Sequence, residues 1–173
     1  MASSKTRAFA VGAALFGGLL AGVTANRALV ELPAWQRIGV LEWANFTRAE
    51  NHGVGTFFYI VVGFVALVLT VSTAIALRFD CSVRVGRFPA YAAAVLAIAY
   101  AAITRGILVP AMFHLRAAGN DSAALEKIFG VVLRWWAVND VLHVLTFALT
   151  LWALAEILSE RSQEHFLKET GAT

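Results

Sequence analysis

The chain has 173 residues, of which 60% are hydrophobic and only 14% are charged. A soluble domain of this size would carry roughly a quarter charged residues, so the composition excludes an ordinary soluble protein and indicates a membrane protein. We attribute the net charge of +3 to membrane topology and expect no nucleic-acid partner. Cys81 is the single cysteine, which excludes an internal disulfide.

Four apolar segments are each long enough to cross the hydrocarbon core, which takes roughly 20 residues. They cover about residues 8–30, 53–77, 88–113 and 128–158. We therefore predict one domain, an all-α integral membrane four-helix bundle embedded in a lipid bilayer. The first segment follows Lys5 and Arg7 and could instead be a signal peptide cleaved near Ala25. We expect it to stay as a span, because its small residues are spaced for helix packing.

The distribution of Lys and Arg predicts the orientation of these spans. One end of the predicted bundle carries Lys5, Arg7, Arg78, Arg84, Arg87, Arg161 and Lys168, and the other carries Arg37, Arg48, Arg116 and Lys127. Cytoplasmic loops are the ones enriched in Lys and Arg. We therefore expect both termini in the cytoplasm of a bacterium, with the spans in its inner (plasma) membrane.

The connection from Glu31 to His52 is predicted to form an amphipathic helix at the outer membrane interface. Pro33 is a good first-turn residue for a helix. Charged residues then alternate with the apolar residues Trp35, Ile38, Leu41 and Phe46, as in helices that lie in the interface. On the second outer connection, the run Asn120-Asp121-Ser122 supplies N-cap residues for the start of the fourth helix.

Two stripes of small residues at every fourth position predict close packing between helices. The first segment carries Ala10, Ala14, Gly18, Gly22 and Asn26, and the third carries Ala93, Ala97, Ala101 and Arg105. Both stripes end in a polar residue near the outer end. We therefore expect Asn26 and Arg105 to face the interior of the bundle.

Polar and ionisable residues are concentrated in the outer halves of the spans, where each would be costly unless paired or hydrated. They are Asn26, Arg27, His52, Tyr59, Arg105, His114, Arg134, Trp135, Trp136, Asn139, Asp140 and His143. Spacings of three and four place Trp136, Asn139, Asp140 and His143 on one helix face. Arg105 and Asp140 fall at the same depth to within a helical turn, which predicts an ion pair between them.

Each of these residues also has a structural interpretation. Arg27 and Arg134 can extend to the lipid headgroups, and the tryptophans can belong to an interfacial belt. The predicted pair of Arg105 with Asp140 can be purely structural, and His143 can simply bond a neighbouring helix. We predict no cofactor. The alternative is haem or a metal held by His52, His114 and His143, although no two of these histidines have the i, i+4 spacing of a helical metal motif.

The chain resembles the anthrone-oxygenase-like family of small four-span membrane proteins over nearly its whole length. The resemblance rests on the glycine-rich first span, Pro33, Trp43, His52-Gly53, Val109-Pro110, Arg134-Trp135 and Asn139. The chain departs from the family at Met112 and Phe113, where asparagines are usual, and at Leu142, where arginine is usual.

The resemblance implies oxidation of an anthrone to an anthraquinone by molecular oxygen without an evident cofactor, with His52 as a base and Trp135 and Asn139 in the substrate pocket. We expect an oxidoreductase or oxygenase-like enzyme acting on a small hydrophobic, aromatic substrate. His52 and His143 would transfer the proton, Arg105 would stabilise the oxyanion, and Asp140 would orient them. Asn26, Tyr59, Trp135, Trp136 and Asn139 would contact the substrate. The alternatives are an electron-transfer protein with haem or metal, and a non-enzymatic subunit of a homo-oligomer or larger membrane complex.

Overall fold

The computed structural model describes residues 3–51, 55–80 and 86–169, and within these ranges every regular element is helical. The α-helices are α1 (Ser4–Asn26), α2 (Leu32–Ile38), α3 (Val40–Asn51), α4 (Gly55–Phe79), α5 (Arg87–Ile103), α6 (Val109–Ala117) and α7 (Ser122–Glu169). Two five-residue π-helical segments, π1 (Arg27–Glu31) and π2 (Thr104–Leu108), join α1 to α2 and α5 to α6.

Four helical stretches in these ranges are long and apolar enough to cross a membrane. They are Ser4–Ile38, Phe57–Phe79, Arg87–Ala117 and Ser122–Ser159. Large apolar side chains such as Leu15, Phe64, Val95 and Val141 are exposed on the surface of the bundle, where a lipid bilayer would cover them. The predicted all-α membrane four-helix bundle is confirmed, and the first, third and fourth helical stretches extend beyond their predicted spans at both ends.

The bundle is closed, because α1 packs against α4 and α7, while α5 packs against the same two helices. Small residues let these helices approach closely. A Cβ atom added at Gly12 would lie 3.1 Å from the Leu69 side chain, and one at Gly18 would lie 3.3 Å from Phe147. The glycine-rich part of α1 is therefore a packing surface for α4 and α7.

The predicted stripe of small residues on α1, from Ala10 to Asn26, does not stay on this packing surface at the C-terminal end of the helix. Ala10 is buried, but Gly22 has no heavy atom within 4 Å of an added Cβ, and Asn26 is exposed. Positions four apart rotate by about 40° per step around a helix of 3.6 residues per turn. The prediction that Asn26 faces the interior is therefore wrong, because four such steps turn the stripe toward the lipid.

Both π-helical segments precede a proline. A proline lacks the backbone N–H, and its ring clashes with the carbonyl four residues earlier in an α-helix. Here the N–H of Leu32, just before Pro33, donates to the carbonyl of Arg27, five residues back. The N–H of Val109, just before Pro110, donates to the carbonyl of Thr104 in the same way. The wider turn accommodates each proline and shifts the phase of the helix beside it.

The predicted interfacial helix forms two helices instead of one. Gly39 separates α2 from α3 with φ +86° and ψ 165°, a conformation that is essentially restricted to glycine. Trp35 of α2 and Trp43 of α3 meet edge to face, with ring centroids 6.5 Å apart. We call α2 and α3 the helical hairpin, and the end of the bundle that they cover the hairpin end.

The helical hairpin is fixed to the third and fourth spans. Trp35 and Trp43 share a buried cluster with Leu115 of α6 and Val132 of α7. Arg48 of α3 donates to the carbonyl of Leu115 at 3.0 Å and also to that of Gly119, at the end of α6. An arginine satisfies the free carbonyls of a helix C-terminus and interacts favourably with its dipole.

Two further contacts define the helix ends. The Asp121 carboxylate accepts the backbone N–H groups of Ala123 and Ala124 at 3.0 and 3.2 Å, which confirms the predicted N-cap of the fourth span. At the opposite end of the bundle, the Asp80 carboxylate accepts the backbone N–H of Ser3 at 2.7 Å and the hydroxyl of Thr6 at 3.1 Å. These bonds attach the start of α1 to the end of α4.

Candidate functional site

Asp140 lies on α7 in the interior of the bundle and forms an ion pair with Arg27. Arg27 Nη2 donates to Asp140 Oδ1, and Arg27 Nε lies 3.5 Å from Asp140 Oδ2. The two side chains are 17% and 9% exposed. Arg105 is exposed. The predicted pair of Arg105 with Asp140 is therefore wrong, and so is the interpretation of Arg27 as a residue that only reaches for headgroups.

The phase of each helix explains why Arg27 replaces Arg105. The buried face of α1 continues from Leu20 and Thr24 to Arg27 by steps of four and three residues. The buried face of α5 continues from Tyr100 to Thr104, so the next residue, Arg105, points away from α7. Alternating steps of three and four stay on one helix face, whereas repeated steps of four drift off it.

The Arg27 guanidinium also lies over the ring of Trp136, with its Cζ atom 4.9 Å from the ring centroid. This is a cation–π distance, and tryptophan is the best partner for such a contact. Trp136 in turn packs against Trp35 of the helical hairpin, at 5.3 Å between ring centroids. The predicted substrate residue Trp136 therefore links the ion pair to the helical hairpin.

His143 is one turn from Asp140 on α7 and stacks on Tyr100 of α5, with ring centroids 4.0 Å apart and 31° between the planes. Among the described residues, no hydrogen bond engages the imidazole nitrogens of His143, and the positive charge of Arg27 acts on the ring. The His143 side chain is partly buried. Tyr100 was not singled out from the sequence, although its position between Ala97 and Thr104 on the α5 packing face could have revealed it.

Asn139 is buried and sits beside Asp140. The Thr104 hydroxyl donates to Asn139 Oδ1 at 3.5 Å, a long contact between π2 and α7. Trp135 precedes Trp136 on α7 and is partly buried. Together, Arg27, Trp136, Asn139, Asp140 and His143 form what we call the ion-pair site.

Three other residues singled out from the sequence and described by the structure, Asn26, Tyr59 and His114, lie outside the ion-pair site. Asn26 donates from Nδ2 to Glu31 Oε1 at 2.7 Å and so bridges the two ends of π1. Tyr59 is 38% exposed, and its ring meets Phe58 edge to face at 6.0 Å. His114 is exposed on α6. His52 lies outside the described residues, and its predicted role stays a prediction.

Glu50 lies near the end of α3, in the electrostatic range of Glu31 and Arg27. Burial raises the pKa of the Glu50 carboxyl above its ordinary value of 4.5, and the charge of Glu31 raises it further. Arg27 acts on the same pKa in the opposite direction. The folded protein therefore holds a proton on Glu50 more tightly than the unfolded chain does.

Replacing Glu50 with glutamine is expected to raise the free energy of unfolding at pH 7 by less than about 1 kcal/mol. The protonated carboxyl stabilises the fold below pH 4.5, and this contribution is lost as the pH rises through the folded-state pKa. The gain from Glu50→Gln should therefore vanish at pH 4. Unfolding in detergent at both pH values measures it, and an equal gain at pH 4 and pH 7 would contradict the assignment.

Within the described ranges, no group of three or more His, Cys, Asp or Glu residues is placed to hold a metal ion. Of the three histidines in the alternative haem or metal site, His52 lies outside the described residues. His114 is exposed on α6, whereas His143 lies against Tyr100 inside the bundle.

Comparisons of the chain with protein-family models, with curated proteins and with solved structures gave no significant match.

Proposed function

We propose that the protein is a membrane-embedded oxidoreductase of the oxygenase-like kind, which acts on a small hydrophobic aromatic substrate at the ion-pair site. The observation that carries the proposal is a largely buried Arg27–Asp140 pair one helical turn from an imidazole whose nitrogens have no hydrogen-bond partner in the described part of the chain. Ionisable groups within membrane spans are costly, and they usually mark functional sites. The resemblance to the anthrone-oxygenase-like family supports the same reaction class.

In the proposed reaction, His143 takes a proton from the substrate carbon that lies between two aromatic rings, opposite the ketone. The electron pair of the broken C–H bond moves into the ring system and forms an enolate. Molecular oxygen then oxidises the enolate, so that an anthrone and O₂ give an anthraquinone and water. The apolar bilayer concentrates both the aromatic substrate and the oxygen.

In this scheme Arg27 has the role of oxyanion stabiliser that the sequence suggested for Arg105. Its positive charge stabilises the negative oxygen of the enolate, in surroundings that hold little water. Asp140 is a positioning residue, because it holds the guanidinium in place. Trp136 and Asn139 line the site, and the resemblance adds Trp135 as a pocket residue and His52 as a second base.

The proposal is tested by oxygen uptake with anthrone as the probe, measured on the protein in liposomes and corrected for empty liposomes. We expect His143→Gln to lower the uptake by about 100-fold or more, which is the usual contribution of a general base. His114→Gln, which changes an exposed histidine, is the matched control and should leave the uptake unchanged.

Uptake that survives His143→Gln would contradict the assignment of the base. A Soret band in the absorption spectrum of the purified protein, together with loss of the band in His114→Gln, would favour the haem-binding alternative. Absence of uptake combined with copurification of a stoichiometric membrane partner would favour the accessory-subunit alternative.

We further propose that the hairpin end faces the outside of a bacterial inner membrane, with both termini in the cytoplasm. The Lys and Arg bias toward the terminal end of the bundle supports this orientation. The substrate would then reach the ion-pair site from the outer half of the bilayer.

A further inference from the structure

The inward-facing side of α4 is left uncovered by the described residues toward the hairpin end of the bundle. A Cβ atom added at Gly63 would meet none of their heavy atoms within 4 Å. At about 100° per residue, Gly63 lies within about 20° of the buried residues Thr70 and Ala74 around the helix axis. Tyr59 lies about five full turns before Leu77 and so on the same side, yet Tyr59 is 38% exposed and Leu77 is 0% exposed. The open space beside Gly63 therefore belongs to the interior side of α4.

The third span leaves this side of α4 uncovered from π2 onward. Among the described residues, π2 packs against α7 but makes no comparable contact with α4. Leu77 of α4 and Ala90 of α5 share a buried cluster at the opposite end of the bundle. At about 1.5 Å per residue, Gly63 lies roughly 20 Å along α4 from Leu77, and Thr104, the first residue of π2, lies equally far from the cluster along its own span. The space beside Gly63 therefore opens into a gap between α4 and π2.

Both walls of this gap adjoin the ion-pair site. On the π2 side, the Thr104 hydroxyl contacts Asn139 Oδ1 at 3.5 Å. On the α4 side, the charge of Arg27 acts on the Tyr59 phenol, which places these two side chains near each other. A molecule in the gap would therefore lie beside Arg27 and Asp140.

We propose that the gap between α4 and π2 admits the flat aromatic substrate from the bilayer, and that its ring system occupies the open space beside Gly63. Ile60, on the adjoining side of α4, is exposed, so the mouth of the gap is apolar. A polar molecule would leave its hydrogen bonds unmet in such surroundings. The inference rests on the proposed function, because it assigns an entry route and a binding space to the same substrate class. Binding itself requires no reaction.

Anthracene is the probe for the test, because it has the three-ring shape of an anthrone but lacks the ketone and the acidic C–H bond. Equilibrium dialysis in the dark against the full chain in nanodiscs, corrected for empty nanodiscs, gives its dissociation constant. We expect Gly63→Leu to weaken anthracene binding about tenfold or more, because the added side chain occupies the space of a ring. Gly63→Ala adds a single methyl group and should weaken binding less.

Gly22→Leu is the matched control, because Gly22 has equally free space beside it but is exposed on α1. It should leave anthracene binding unchanged. The melting temperature of the ligand-free Gly63→Leu protein should stay the same or rise, since the space is free and leucine is a better helix former than glycine.

Three results would overturn the inference. In the first, anthracene binds no better to the protein than to empty nanodiscs. In the second, Gly63→Leu leaves anthracene binding unchanged, as expected if lipid acyl chains fill the gap, or weakens it no more than Gly22→Leu does. In the third, Gly63→Leu lowers the melting temperature, which would show that the space beside Gly63 is already filled. Loss of anthracene binding in Gly63→Leu, without anthrone-dependent oxygen uptake by the unmodified chain, would contradict the proposed function alone.

Discussion

Replacement of Asp140 by alanine is expected to lower the free energy of unfolding by about 3 kcal/mol, because it leaves the Arg27 guanidinium inside the bundle without its counter-charge. The pair is largely shielded from solvent, so water can replace little of the lost interaction. An SDS titration in mixed micelles measures the change. The same variant should also lose anthrone-dependent oxygen uptake, because Arg27 would no longer be held beside His143.

The double variant Arg27→Leu/Asp140→Leu distinguishes loss of the ion pair from the cost of leaving one charge buried without its partner. Replacement of both partners of a buried pair by apolar residues is often close to neutral, so we expect it to recover most of the lost stability but not the uptake. Arg105→Ala is the matched control, because Arg105 is exposed on the neighbouring span. If Arg105→Ala destabilises the protein as much as Asp140→Ala does, the assignment of Arg27 as the partner is contradicted.

Gly86→Val is expected to lower the free energy of unfolding by about 3 kcal/mol through two separate effects. Gly86 precedes α5 with φ +77°, a left-handed conformation that a β-branched residue adopts only with strain. A Cβ atom there would lie 3.2 Å from the Ala153 carbonyl oxygen and 3.4 Å from Glu156 Cβ, both on α7. The same SDS titration measures the loss.

Gly119→Val provides the comparison, because Gly119 has φ +55° but nothing within 4 Å of an added Cβ. It should carry the conformational cost alone, about 1 kcal/mol. Equal losses in the two variants would show that α5 does not approach α7 closely at Gly86.

The residues of the ion-pair site were partly predictable, because some of the site's geometry lies within a single helix. The spacing of Trp136, Asn139, Asp140 and His143 places them on one face of α7, and the structure keeps them on the side facing the neighbouring helices. The partner of Asp140 depends on how α1 and α5 are rotated, which no spacing within α7 can reveal. The pairing of Arg27 with Asp140 therefore emerged only from the packed bundle.

The helical hairpin was also predictable from the sequence only in part. Pro33 and the mixture of apolar and charged residues predicted one helix after the first span, and the structure has the two helices α2 and α3 there. The break between them depends on Gly39, whose left-handed backbone was not anticipated.

The sequence by itself determined the four apolar spans, the N-cap at Asp121 and the polar face of α7, because hydropathy, capping and spacing within a helix are local properties. The tertiary structure decided that Arg27 and not Arg105 meets Asp140, that His143 stacks on Tyr100 and that Asn26 turns outward. The physical reason is helical phase. Small drifts of about 40° per step, together with the π-helical turns before Pro33 and Pro110, determine which side chain faces inward.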